Sequence, residues 1–412
     1  VKVDGGANFF IALNSNGSVY TWGDNAYGQL GTGDLIDYVE PTIAKYSDNT
    51  EITDAVDVNA GYYHTLVLKN DGTVWASGRN SDGQIGNGEI VDKKLFTQVM
   101  LDAETPLTGI VAVSAGMYSS YALTEDGEVY GWGANNYFQL GGTASTDKVY
   151  PEKIEDTNNI VKIAAGTYTL MMINNNGNVF GLGKNTYDQL SVGSTSNATT
   201  VVQMLDENGI AITGVKDIAC GEDYAILIRE DNSVWGCGYN YYGQLGVGNR
   251  TKTIPLTAMI DSDGNTIQNA SKVFANYRST YVITENGEMY GAGNNNNGVL
   301  FNNSTTKSTS ALKLSIDNAK TAALTMTSSQ SGIVIKNTGD ILTVGYGENG
   351  ELGNGVKISM TATQNIYDVD LKKYHLSKVG VAGGGFVNFY LDKDYLNQVV
   401  FKILEEKENF GK

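Results

Sequence analysis

The sequence predicts an all-β fold, a seven-bladed β-propeller whose blades are four-stranded antiparallel sheets. Three observations predict it. A glycine-centred stretch returns at a nearly constant interval along the 412 residues. The same succession of short β-branched and aromatic segments precedes each copy. These segments are apolar on both sides, so a single sheet built from them cannot stand alone in water.

The recurring stretch reads TWGDNAYGQLGTG (21–33), ASGRNSDGQIGNG (76–88), GWGANNYFQLGG (131–142), GLGKNTYDQLSVG (181–193) and GCGYNYYGQLGVG (236–248). GAGNNNNGVLFNN (291–303) and VGYGENGELGNG (344–355) are eroded copies. The glycine closing the first step of each copy falls at Gly23, Gly78, Gly133, Gly183, Gly238, Gly293 and Gly345, giving steps of 55, 55, 50, 55, 55 and 52 residues. A period of this size marks a repeat architecture.

Each unit carries three further segments with strand and hairpin signals. In the second unit they are VDVNAG, YHTLVLKNDG and TVWASG, and in the fifth KDIACG, DYAILIREDN and SVWGCG. NDG, EDG, SNG and NNG separate the second and third segments and tolerate positive φ in a tight turn. A looser fourth strand follows the glycine loop, as in EPTIAKY, LFTQVML, VYPEKIE and IPLTAMI. The shortest step falls where the connection EDTNNIVKI lacks the extra polar piece seen in SDNTEITDA or DENGIAITG, which reads as a small surface hairpin.

In the second unit Leu66 and Leu68 face one side and Thr65 and Val67 the other, so the sheet needs a neighbour on each face. Sheets stacked radially into a closed ring meet that need and protect their edges. The glycines then allow sharp turns where blades converge. Trp22, Trp75, Tyr130, Trp132, Trp235 and Tyr290 fill the spaces between blades. An eighth, partial copy begins at SKVGVAGGGFVNFYLDKD (377–394), with QVVFKIL (398–404) as a third strand. It either supplies strands that close a seven-bladed ring or forms an eighth blade. Residues 1–404 are read as one propeller and 405–412 as a charged tail.

These residues resemble the regulator of chromosome condensation repeat along essentially the whole chain. N-x-x-G-Q-[LI]-G stands at Asn25–Gly31, Asn80–Gly86 and Asn240–Gly246, and at Asn135–Gly141 with Phe138 for the glycine. The resemblance implies a seven-bladed propeller. The family's founder is an exchange factor for the GTPase Ran and docks on chromatin, but the wedge-like insertion and basic segments this requires have no counterpart here. The family's histidine is kept only at His64, with Phe9, Ser119, Thr169, Tyr224 and Ser279 elsewhere. Bacterial members, among them propeller-type β-lactamase inhibitor proteins, are closer in composition and bind a protein through aromatic loops on one face.

Composition narrows the function classes. A net charge of −17 disfavours nucleic acid and anionic membrane surfaces. No basic patch is visible, and no apolar run is long enough to cross a bilayer. The chain begins at Val1 rather than Met and shows no apolar leader, which suits a mature product, an excised domain or a fragment. Two cysteines amid abundant Asn, Thr and Tyr suit an exported bacterial surface protein. Cys220 and Cys237 lie on the first and third strands of one unit, beyond disulfide reach.

Catalytic, cofactor and metal residues are not expected. The two histidines, His64 and His375, sit in no nucleophile motif. Arg79, Arg229, Arg250 and Arg278 occupy non-equivalent positions and are not expected to converge. DSDGN (261–265) has calcium-like spacing at Asp261 and Asp263 but reads as a hairpin turn.

Binding is expected on loops. The two residues before the histidine-equivalent position occur at the same place in each blade and form a circle on one face. They are Ala7-Asn8, Tyr62-Tyr63, Met117-Tyr118, Thr167-Tyr168, Glu222-Asp223 and Tyr277-Arg278, with Gly385-Phe386 in the partial copy. A second circle comes from the N-x-x-G loops: Tyr27, Tyr137, Tyr187, Tyr241 and Tyr242. Tyrosine offers large amphipathic area at low entropic cost. The candidate partner-binding residues are therefore Tyr62, Tyr63, Met117, Tyr118, Tyr168, Asp223, Tyr277 and Arg278. A monomeric binding module for a protein partner is expected, with a glycan as the alternative ligand and an exchange factor or an axial-site enzyme after that.

Overall fold

The computed structural model describes residues 1–355, 357, 359–365, 376–382 and 386–391. These contain strands and turns but no helix. Seven four-stranded antiparallel sheets follow one another along the chain, each built from consecutive strands. Blade 1 runs from Lys2 to Ile43, blade 2 from Ala55 to Gln98, blade 3 from Ile110 to Lys153 and blade 4 from Ile160 to Gln203. Blades 5, 6 and 7 run from Val215 to Ala258, Ala270 to Lys313 and Ala319 to Asn365. In blade 2 the strands are Ala55–Ala60, His64–Lys69, Val74–Gly78 and Lys93–Gln98, matching the segments read from the repeat.

The first strands adjoin one another around the axis, and that of blade 1 touches those of blades 2 and 7. The ring therefore closes between blades 7 and 1 with seven members. The Met326 amide donates to the Gly6 carbonyl at 2.7 Å, and the Trp22 indole N–H donates to the Glu351 carbonyl at 2.9 Å. Among the described residues the partial copy lends no strand to this closure. Leu376–Ala382 and Phe386–Leu391 pair with each other in a two-stranded sheet of their own. The expected third strand at 398–404, the tail and His375 lie outside the described residues.

The cores lie between sheets, as two-sided apolar strands require. Leu66 and Leu68 pack with Val113, Ala122 and Trp132 of blade 3, while Val67 packs with Phe9, Ile11 and Leu30 of blade 1. An apolar cluster of this kind fills each of the seven junctions. Trp22 and Trp132 are fully buried there, the Trp132 indole donating to the Gln84 carbonyl at 2.9 Å. Trp75 and Trp235 stand two positions earlier in their strands and are half-buried. Trp75 lies 4.8 Å from the Tyr46 ring, and Arg229 covers Trp235 at 4.2 Å.

The polar connections expected to be small hairpins are hairpins, closed by the bridges Lys45–Glu51, Met100–Pro106, Leu205–Ala211 and Ile260–Thr266. Asp261 and Asp263 belong to the last of these, where the Asp261 carboxylate accepts the amides of Asp263 and Asn265, both at 2.9 Å. The 52-residue step hides two opposite changes. Leu324 aligns with Ala275, 49 positions earlier, and Ser331 with Ser279, 52 earlier, so blade 7 carries a three-residue insertion between its first two strands.

Candidate functional site

The loops joining first to second strands and third to fourth strands emerge at the same end of every blade. The recurring glycines bind them together. All seven closing glycines, from Gly23 to Gly345, have φ between +92° and +116°. A side chain on Gly78 would place its Cβ 2.3 Å from the Tyr63 carbonyl oxygen. This backbone turn lets the next amide donate to that same oxygen: Arg79 to Tyr63 at 2.8 Å, and Lys184 to Tyr168 at 2.9 Å. In each blade the glycine thus fixes the residue of the proposed tyrosine circle.

The rest of the motif locks its own loop. Asn80 accepts the Ile85 amide at 2.9 Å while Gln84 accepts the Asp82 amide at 3.0 Å, and the equivalents in blades 1, 3, 4 and 5 repeat both bonds. His64 serves the scaffold. It is buried over Gly61, whose Cβ would meet the ring at 2.1 Å, and its Nε2 lies 2.9 Å from Ser120 Oγ. Since Ser120 Oγ donates to the Gln84 carbonyl at 2.8 Å, Nε2 is the donor to Ser120. Burial holds the imidazole well below its ordinary range, at about 3.

The two expected circles are one. In blades 1, 3 and 5 the N-x-x-G tyrosine packs on the circle residue of the following blade, Tyr27 on Tyr63 at 4.7 Å, Tyr137 on Tyr168 at 4.5 Å and Tyr242 under Arg278 at 4.4 Å, while Tyr187 packs on Tyr239. Tyr62 adds contacts to Tyr63 at 4.5 Å and Tyr118 at 5.9 Å, which joins blades 1, 2 and 3. Cations continue the pattern. Arg79 lies 4.5 Å over Tyr118 and pairs with Asp82 at 3.3 Å, and Arg278 lies 4.4 Å over Tyr242 and pairs with Glu222 at 2.7 Å. Burial, followed by the neighbouring Tyr118 and Tyr137, pushes the Tyr168 phenol up to about 12.

Asp223 is placed inward, 7% exposed, where it holds Lys184 at 2.9 Å and accepts from Gln189 at 3.1 Å. Met117, Tyr62, Tyr63, Tyr118, Tyr168, Tyr277 and Arg278 are half-buried with their edges at the surface. Blade 7 contributes Met326 to Gln330 from its enlarged loop, a stretch the repeat alignment left out. Phe386 belongs to the separate hairpin, and Gly385 lies outside the described residues.

One charge expectation needs correction. Arg250 stands over Tyr241 and Arg278 over Tyr242, two rings in contact. With Lys252 and Lys307 they make a basic cluster that the sequence hides, because its members are spread between positions 250 and 307.

At the axis the first strands enclose a cavity of about 240 Å³, lined chiefly by small apolar residues with Lys2, Asp4, Asn59, Ser114 and Lys162. Asp4 is the one carboxylate in this lining, and it accepts the Ala60 and Gly5 amides at 3.0 and 2.9 Å. Cys220 and Cys237 are free and buried, each paired in register with Ala225, which lies between them. Burial pushes the Cys220 thiol up to about 12.

The profile of the RCC1-like domain matches residues 1–214 and 55–389. The chain belongs to the RCC1-like domain family. Among its relatives, the ultraviolet-B receptor UVR8 of Arabidopsis thaliana is 27% identical over 302 residues, covering 73% of this chain and 66% of the receptor. The X-linked retinitis pigmentosa GTPase regulator of Canis lupus familiaris is 37% identical over 289 residues, covering 70% of this chain and 28% of the regulator. The chain thus corresponds to less than two thirds of either relative. Prp20p from Saccharomyces cerevisiae superposes with a TM-score of 0.73 at 20% identity, covering 96% of this chain and 97% of that one. Human WBSCR16 gives 0.69 at 22% identity, covering 79% and 84%. These structures share the fold of this RCC1-like domain.

Proposed function

We propose that this RCC1-like domain is a non-catalytic module that binds a protein partner through the tyrosine-bearing loops of one propeller face. The observation that carries this reading is the fused circle, in which Tyr27, Tyr63, Tyr62 and Tyr118 form a continuous aromatic surface across three blades. Tyrosines held on a rigid frame with their edges in water suit a recognition surface more than a core. Yeast RCC1 bound to Kap60, and Prp20p with its binding to Gsp1p and histones, share this fold and favour a protein partner here. No connection between described strands in the ring exceeds fourteen residues, which favours binding by surface loops over action through a long inserted wedge.

Export as part of a bacterial surface protein belongs to the same proposal and rests on composition. Sequencing the gene on both sides of this segment tests it, since an export signal or wall-anchoring module supports export and an intracellular partner domain opposes it. For the face itself, Tyr63→Ala with Tyr118→Ala removes two adjoining rings. Capture of a protein partner should weaken by at least about 2 kcal/mol while the circular dichroism spectrum is kept. If glycan-array binding is lost instead, with protein capture unaffected, the carbohydrate reading takes its place.

A further inference from the structure

We infer that the part of this face on blades 4 to 6 is a receptor for an acidic segment of the partner protein. This rests on the reading that the face binds protein and adds the partner's chemistry. Tyr187, Tyr239, Tyr241 and Tyr242 form one aromatic floor, with ring centres 4.7, 6.2 and 5.4 Å apart along it. Tyr241 is 48% exposed. Lys252 lies 5.2 Å over Tyr187, Arg250 5.1 Å over Tyr241 and Lys307 4.6 Å over Tyr242.

What separates these three cations from others on the face is the absence of an anion. Arg79, Lys184 and Arg278 each hold a carboxylate. Among the described residues, no carboxylate forms an ion pair with Arg250, Lys252 or Lys307. Arg250 uses its Nε on the Tyr241 carbonyl at 2.8 Å, which orients the guanidinium and leaves its terminal nitrogens open. In a chain of net charge −17, three cations without an ion-pair partner among the described residues stand on one aromatic floor. Carboxylates from a partner can meet the ammonium and guanidinium groups from above while the rings stay beneath them. The general negative charge turns away polyanions that need a broad basic surface, which favours a short acidic stretch of polypeptide.

The test uses fluorescence anisotropy with a labelled oligo-glutamate peptide of about ten residues, an oligo-glutamine control, a heparin fragment and a single-stranded oligonucleotide. The protein should bind oligo-glutamate at low salt and ignore oligo-glutamine. Affinity should fall roughly tenfold in Arg250→Gln/Lys252→Gln/Lys307→Gln. It should hold in Lys94→Gln/Lys216→Gln/Lys320→Gln, which makes the same charge change elsewhere on the surface. Absent binding, equal binding by both triple variants, or tighter binding of heparin or the oligonucleotide overturns the inference. Retention of tyrosine-dependent partner capture in any of those cases leaves the broader protein-binding reading standing and removes the charge assignment alone.

Discussion

The junction between blades 2 and 3 and the seam between blades 7 and 1 use one geometry with different chemistry. At the first, Trp132 donates to the Gln84 carbonyl, and at the second, Trp22 donates to the Glu351 carbonyl, both at 2.9 Å. Gln84 brings a neutral amide. Glu351 brings a carboxyl to the same buried place, beside Asp24 and Asp37, and among the described residues its Oε1, like Gln84 Nε2, has no hydrogen-bond partner. Connecting chain ties blades 2 and 3 together, and among the described residues side chains and loop amides cross the seam. Repetition therefore fixes the fold, but the place where the repeat must meet itself is free to differ, here by a buried carboxyl in place of an amide.

The largest expected effect is on the two buried indoles. Trp132→Ala and Trp22→Ala should each cost about 3–5 kcal/mol in chemical denaturation. A broader, less cooperative transition is expected for Trp22→Ala, because its loss loosens the seam. Equal cooperativity in both variants would remove the distinction drawn between the two junctions.

A smaller effect, of the opposite sign, is expected at Glu351. Burial, reinforced by Asp24 and Asp37, raises its carboxyl from the ordinary 4.5 to about 8. The folded chain therefore keeps a proton that the unfolded chain gives up. The contribution of protonated Glu351 to stability is complete below about pH 4.5, declines as pH rises, and is lost through about pH 8. Glu351→Gln should leave thermal stability at pH 4.5 nearly unchanged and raise it at pH 9 by on the order of a few kcal/mol. Parallel melting curves for both proteins across that range would show the carboxyl to be solvated.

The smallest effect belongs to the exposed floor. Tyr241→Ala should change stability by no more than about 0.5 kcal/mol while reducing oligo-glutamate binding. A larger loss of stability would show that this ring is a structural member of blade 5.

Much of this architecture can be read from residue spacing. The closing glycines mark the blades because a backbone at φ near +100° with a carbonyl 2.3 Å from any Cβ admits nothing else. The alternation at Leu66, Val67 and Leu68 foretells the two cores that receive them. The insertion in blade 7 is harder to see, because a short connection cancels most of it in the overall step. The fusion of the tyrosine circles is hidden for another reason. Tyr27 meets Tyr63, and Tyr242 meets Arg278, at a separation of 36 residues that belongs to neither the strand nor the repeat period. That offset, shortened to 31 for Tyr137 and Tyr168 across the 50-residue step, is the signal that could have revealed it. The basic cluster is assembled by the same between-blade contacts, so a linear scan for charge runs passes over it.

The loops bearing these side chains are also sewn to one another. Ala7 donates to Tyr62 at 2.9 Å, Tyr62 to Met117 at 3.2 Å, Met117 to Thr167 at 3.2 Å, Thr167 to Gly221 at 3.4 Å and Glu222 to Tyr277 at 2.9 Å, all from amide to carbonyl. Between blades 6 and 7 the Asn276 side chain makes the stitch, donating to the Leu324 carbonyl at 2.6 Å. A hoop of this kind resists the independent breathing that surface segments normally enjoy. A visiting molecule meets a contour already set, gives up little to entropy in freezing it, and is selected by shape as strictly as by charge.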